Sequence, residues 1–88
     1  MAAHREVAGT GYCVRPLSAG EMIDLEQAGV DGLAGLVRLA HLSAVDTEGN
    51  RIWATEADAR EAPWPTVKAC ADEALIANGL TGEDLPGN

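Results

Sequence analysis

The stretch DGLAGLVRLAHLSAVDTEGNRIW, residues 31–53, decides the fold, because its apolar spacing changes character partway along. Leu33, Leu36, Val37, Ala40 and Ala44 fall at i, i+3, i+4, i+7 and i+11, which is one face of an α-helix. Asp31 is placed to cap that helix, which should run to about Ser43. Leu39 and Leu42 lie outside the stripe and widen the apolar arc, leaving Arg38 and His41 as a wet, polar ridge. A helix apolar around most of its circumference is either buried centrally or contacts another chain. Past it, residues 46–50 are turn chemistry, with Gly49 free to take positive φ between the β-favouring Val45 and the pair Ile52 and Trp53. The pattern predicts a short hairpin near 44–53. Two strands alone are barely stable in water, so this hairpin must lean on helices or find a partner.

Toward the N-terminus, residues 11–17 have strand character, with Tyr12 and Val14 on one side. Pro16 cannot donate to a ladder, so that strand should be an edge or stop there. Residues 1–10 read as a flexible N-terminus. Ser18 and Glu21 have the S-x-x-E spacing of a capping box, predicting a helix over 19–28 that stops at Gly29. Met22 and Leu25 should face inward, and the acids Glu21, Asp24 and Glu26 should form a solvated face. Toward the C-terminus, Thr55 ahead of Glu56 and Asp58 caps a short helix that must end before Pro63. A last helix should start at Pro65 or Thr66 and reach about Asn78. It would carry Val67, Cys70, Ala71, Ala74 and Leu75 on one face, with Gly79 as its stop. Residues 80–88 show no periodicity and read as a flexible tail. The fold class is therefore mainly α with a short β-hairpin or small sheet (α+β), with three to four short helices in one domain over 11–79.

Composition bounds what such a domain can do. The chain is 47% apolar but has only three aromatic residues and no Phe, so its core must be Leu, Val, Ile and Ala. At 88 residues it buries only about two thirds of its unfolded surface, a thin core for a solitary monomer. Together with the surplus apolar arc and the unsupported hairpin, this predicts self-association. Fourteen acidic residues face six basic ones, for a formal net charge of −8. Lys68 is the only lysine and the arginines form no run, which speaks against nucleic acid. The charge is read as a device for solubility. No apolar run approaches the roughly 20 residues of a membrane span, and the N-terminus lacks the apolar core of a signal peptide. A soluble, cytoplasmic protein is expected. Cys13 and Cys70 are too few for a disulfide framework and sit among apolar neighbours, as reduced, packed thiols would.

Chemical sites are sparse. Asp46, Glu48 and Asn50 are spaced like a calcium loop, but that loop needs glycine sixth and glutamate twelfth, where Arg51 and Ala57 stand. His4, His41, Cys13 and Cys70 lack the close pairing of a zinc site. A cysteine–histidine pair would have to form in space rather than along the chain. Gly29, Gly32 and Gly35 do not make a phosphate loop, and Gly35 suits close helix packing. No catalytic residue, cofactor or metal is expected, and the chain is read as a non-enzyme. Leu39, Leu42 and Trp53 are the candidate partner-binding residues, with Trp64 as a fourth. A tryptophan at a structural corner either plugs a small core or anchors a partner.

The order of these motifs resembles a known family. VRPLSAGE (residues 14–21), LVRLAHLSAVDTEGNRIW (36–53), TEADA (55–59) and a last helix ending NGL (78–80) are similar to the small tail assembly chaperones of long-tailed bacteriophages. The resemblance spans residues 13–80. One departure is EAPWP (61–65), a stiff proline corner where a leucine-rich approach to the final helix would be expected. The resemblance implies a non-enzymatic protein of the host cytoplasm. It would coat the tape measure protein, help bring tail tube protein to it, and leave before the virion is mature. A longer frameshifted form is common in that family. The alternatives are another small morphogenesis protein, such as a head–tail joining or tail completion subunit, and an acidic decoy or inhibitor.

Overall fold

The computed structural model describes residues 4–80. Its elements run β1 (Arg5–Val7), β2 (Tyr12–Val14), α1 (Ala19–Ala28), α2 (Gly32–Ser43), β3 (Ala44–Val45), α3 (Glu56–Glu61) and α4 (Trp64–Ala77). Four helices and a three-stranded antiparallel sheet of order β1-β2-β3 make this an α+β fold. The predicted tail beyond residue 80 lies outside the described residues.

The helix boundaries follow local chemistry. Ser18 Oγ accepts from the Glu21 amide at 3.1 Å while the Ser18 amide donates to Glu21 Oε1 at 2.9 Å, completing the capping box. Gly29, at φ 108°, ends α1. Thr55 Oγ1 accepts from the Asp58 amide at the start of α3, and Gly79 at φ 71° follows the end of α4. Helix α4 begins one residue earlier than predicted, at Trp64, with Pro65 in its first turn where a missing amide costs nothing. Asp31 occupies the N-cap of α2, but its side chain makes no capping bond.

Two expectations are corrected. The start of the chain is not wholly a loose end: Arg5–Val7 is a strand, with Arg5 opposite Val14 and Val7 opposite Tyr12. The turn between β1 and β2 holds Gly9 and Gly11 at positive φ, and Thr10 Oγ1 both donates to Val7 O and accepts from the Tyr12 amide. Strand β2 does stop before Pro16, yet it is the central strand. The hairpin near 44–53 is a turn with one true strand arm. Strand β3 pairs with β2, and the return arm is reduced to a bridge between Val45 and Arg51. The Asp46 carboxylate accepts from the amides of Glu48 and Asn50, which fixes the turn without a second strand.

Helix α2 is rotated from its expected orientation. Its buried residues are Gly35, Leu39, Ala40 and Ser43, whereas Leu33 is 65% exposed. The reason is that α2 is covered by α4 along one flank and by α3 along another, so its inward face falls between them. The small buried face of α4 (Val67, Cys70, Ala71 and Ala74) lets these helices approach closely. Asn78 ties the ends of the fold together. Its Oδ1 accepts from the Leu17 amide at 2.7 Å and its Nδ2 donates to Ala74 O at 2.8 Å.

Candidate protein-binding groove

Among the described residues, the other side of α2 is open. Met22, Ile23, Leu25 and Glu26 of α1, Val30 of the link, Gly35, Leu36 and Leu39 of α2, Leu75 of α4 and Leu80 line a groove of about 270 Å³. Local sequence explains the gap. A Cβ on Gly35 would stand 2.2 Å from Val30 O, so only glycine permits the link to fold against α2. Helix α2 packs far more extensively on α4 than on α1.

Among the described residues, Glu26 is the only charged side chain lining the groove. Ile23 is 53% exposed at its rim, and Leu33 and Ile76 are exposed elsewhere on the same helices α2 and α4. A second, smaller cleft of about 180 Å³ lies between α1, α2 and α3, lined by Asp24, Leu42, Arg38, His41 and Glu56 among others.

The residues expected to bind a partner are dispersed. Leu39 is buried at 3% exposure and forms the floor of the groove as part of the core. Leu42 is half-buried in the second cleft. Trp53 is a core residue, its ring edge-on to Tyr12 with centroids 6.2 Å apart, so the core reading of this tryptophan holds. Trp64 is 41% exposed at the start of α4 and lines neither cleft. It stands eleven residues from Leu75, about 16 Å along the helix. Met22, Ile23, Leu36 and Leu75 line the groove and lie outside the four candidate contact residues. The sequence signal for them was the apolar pair at 22–23 beside an acidic helix face.

Two polar readings are also corrected. Arg38 and His41 are not simply a wet ridge: Arg38 donates to Gly29 O at 3.1 Å and stands 3.4 Å from Glu56, and His41 Nδ1 lies 3.1 Å from Trp53 O. Glu21 is not merely solvated. Besides capping α1 it forms a two-point pair with Arg15, at 3.0 and 2.6 Å, and lies 3.5 Å from Arg51. The Arg15 hydrogen bonds are the main cause of a Glu21 carboxyl held down at about 2. The Asn50 amide, and then that of Glu48, hold Asp46 below the usual carboxylate range.

All six cations of the chain pair with carboxylates: Arg5 with Glu73, Arg15 and Arg51 with Glu21, Arg38 and Arg60 with Glu56, and Lys68 with Asp72. Among the described residues, Glu6, Asp24, Glu26, Asp31, Asp46, Glu48, Asp58 and Glu61 have no such partner. The charge excess is therefore carried by acids that nothing in the fold neutralises.

Cys13 and Cys70 are both buried free thiols, and burial pushes Cys70 up to about 11, leaving it protonated at neutral pH. Among the described residues no three histidine, cysteine or acidic side chains converge as a metal site, and no helix is long and apolar enough to cross a membrane. No family model, curated protein or solved structure matches this chain.

Proposed function

We propose that this protein is a non-enzymatic assembly chaperone of a long-tailed bacteriophage, acting in the host bacterial cytoplasm on the tape measure protein and aiding tail tube assembly. The observation that carries this reading is an apolar groove, open among the described residues, on a strongly acidic small domain. Such a surface can shield hydrophobic segments of a client while like charges keep the complexes apart in solution. The resemblance in motif order over residues 13–80 supplies the identity of the client, and the turn at Asp46 to Asn50 falls within the resembling stretch.

Co-expression with the tape measure gene of the same phage tests it. The client is expected in the soluble fraction only when this protein is present. Equal insolubility with and without it sinks the proposal. Mass spectrometry of purified virions separates a chaperone from a head–tail joining or tail completion subunit, because a chaperone is absent from the mature particle.

A further inference from the structure

We infer that the groove between α1 and α2 takes an amphipathic helix that carries lysine or arginine beside its apolar anchors. The inference rests on reading the chain as a protein that covers client segments. It adds which surface does so and what the covered segment bears.

Three observations lead there. The first is the backbone demand of the groove. Among the described residues, Glu26 is the only charged group along it and no strand residue lines it, so they offer an occupant no ladder of main-chain partners. A bound segment must satisfy its own amides and carbonyls, which a helix does and an extended peptide does not. The second is size. At about 270 Å³ the space is just below the roughly 300 Å³ at which small-molecule pockets begin, and it suits a few apolar side chains from one helix face.

The third observation is charge. Glu26 stands in the groove wall unpaired, and Asp31 follows the lining residue Val30 with no salt-bridge partner among the described residues. All six cations of this chain are already engaged with its own carboxylates. Every lysine and arginine of a second copy is therefore already paired, and that copy carries the same net charge of −8. A helix with cationic flanks meets an unneutralised carboxylate instead, and repulsion turns into attraction.

The test uses the full chain and a synthetic helical peptide of about 16 residues, long enough to hold helix once docked. Its leucines are spaced i, i+3, i+4 and i+7 and flanked by lysine. A second peptide replaces each lysine with glutamate, and a third replaces the leucines with glutamine. NMR titration should move the signals of Met22, Ile23, Leu36 and Leu75 with the lysine peptide. The glutamate and glutamine peptides should move them little. Ile23→Asp should weaken binding about tenfold, as loss of a central apolar contact does. Glu26→Lys should weaken the lysine peptide and strengthen the glutamate peptide, each by about threefold or more at low salt. Both positions are exposed, and circular dichroism of each variant separates lost binding from lost folding.

Equal binding of the lysine and glutamate peptides would overturn the proposal, as would shifts centred on Trp64. Concentration-dependent shifts of the same groove residues without peptide would overturn it in favour of a second copy. Binding seen only after deletion of residues 81–88 would overturn it in favour of the chain's own end. Peptide binding without rescue of a tape measure protein would leave the groove intact and defeat the chaperone reading alone. Rescue that survives Ile23→Asp and Glu26→Lys would do the reverse.

Discussion

Helix α2 has two unlike sides. Toward α4 it meets Val67, Cys70, Ala71 and Ala74, small or compact residues that are all buried and leave a closed seam. Toward α1 its own Leu36 faces larger side chains, Met22 and Ile23, and all three remain partly or largely exposed around an open groove. The larger residues thus leave the poorer fit. Closure depends on whether the backbones can approach, and alanine permits on one side what the Gly35–Val30 contact redirects on the other. Stability should reside in the seam and binding in the groove.

The largest expected effect comes from the residue that serves both sides. Leu39→Ala should cost about 2–5 kcal/mol, because it removes core volume beneath the groove. Urea unfolding measures it, and a loss under 1 kcal/mol would show that the seam does not depend on this side chain. Ala71→Leu should cost about 1–3 kcal/mol by overpacking the closed side. Gly35→Ala should cost a similar ~1–3 kcal/mol, since the added methyl meets the Val30 carbonyl rather than a side chain that can move. A neutral Gly35→Ala would mean that the link between α1 and α2 can shift freely. Ile23→Gln should change stability by less than about 0.5 kcal/mol, because its side chain is already exposed. A large loss there would erase the contrast between the two sides.

The joint that holds α1 in place has its own signature in acid. Glu21 titrates near 2 in the folded protein against an ordinary value of 4.5. Its stabilising contribution is therefore complete above the ordinary value and is lost as pH falls through about 2. The stability difference between the wild type and Glu21→Gln should be constant above pH ~5 and shrink steadily below it. A difference that does not vary with pH would show that the cap, rather than the charge, holds α1.

What could be read from the sequence was whatever is encoded over a few neighbouring residues. Ser18 with Glu21, Gly29, Thr55 and Gly79 each specify a helix end by their own hydrogen bonds or backbone freedom, and each stands where expected. Strand β1 escaped because three residues are too few to show alternation, and only Val7 of them is buried. The rotation of α2 escaped because periodicity gives the width of an apolar arc, whereas the neighbours decide which part of it is covered. The groove escaped for the same reason. It arises from the approach of Val30 to Gly35 and the unequal packing of α1 and α4, neither of which is a property of a short window. Trp53 was legible as a choice between core and surface, and the nearby Tyr12 ring settles it.

The bond from the Leu17 amide to Asn78 and the ion pair of Arg5 with Glu73 span 61 and 68 residues of chain. Both fasten the beginning of the described chain to its last helix. The order of folding during synthesis follows from this. The sheet and α1 can form early, but neither is fastened until α4 is complete, because loops of that length must close before their contacts contribute. A nascent chain that pauses before Glu73 lacks both fastenings and leaves open the apolar surface that α4 covers in the finished fold.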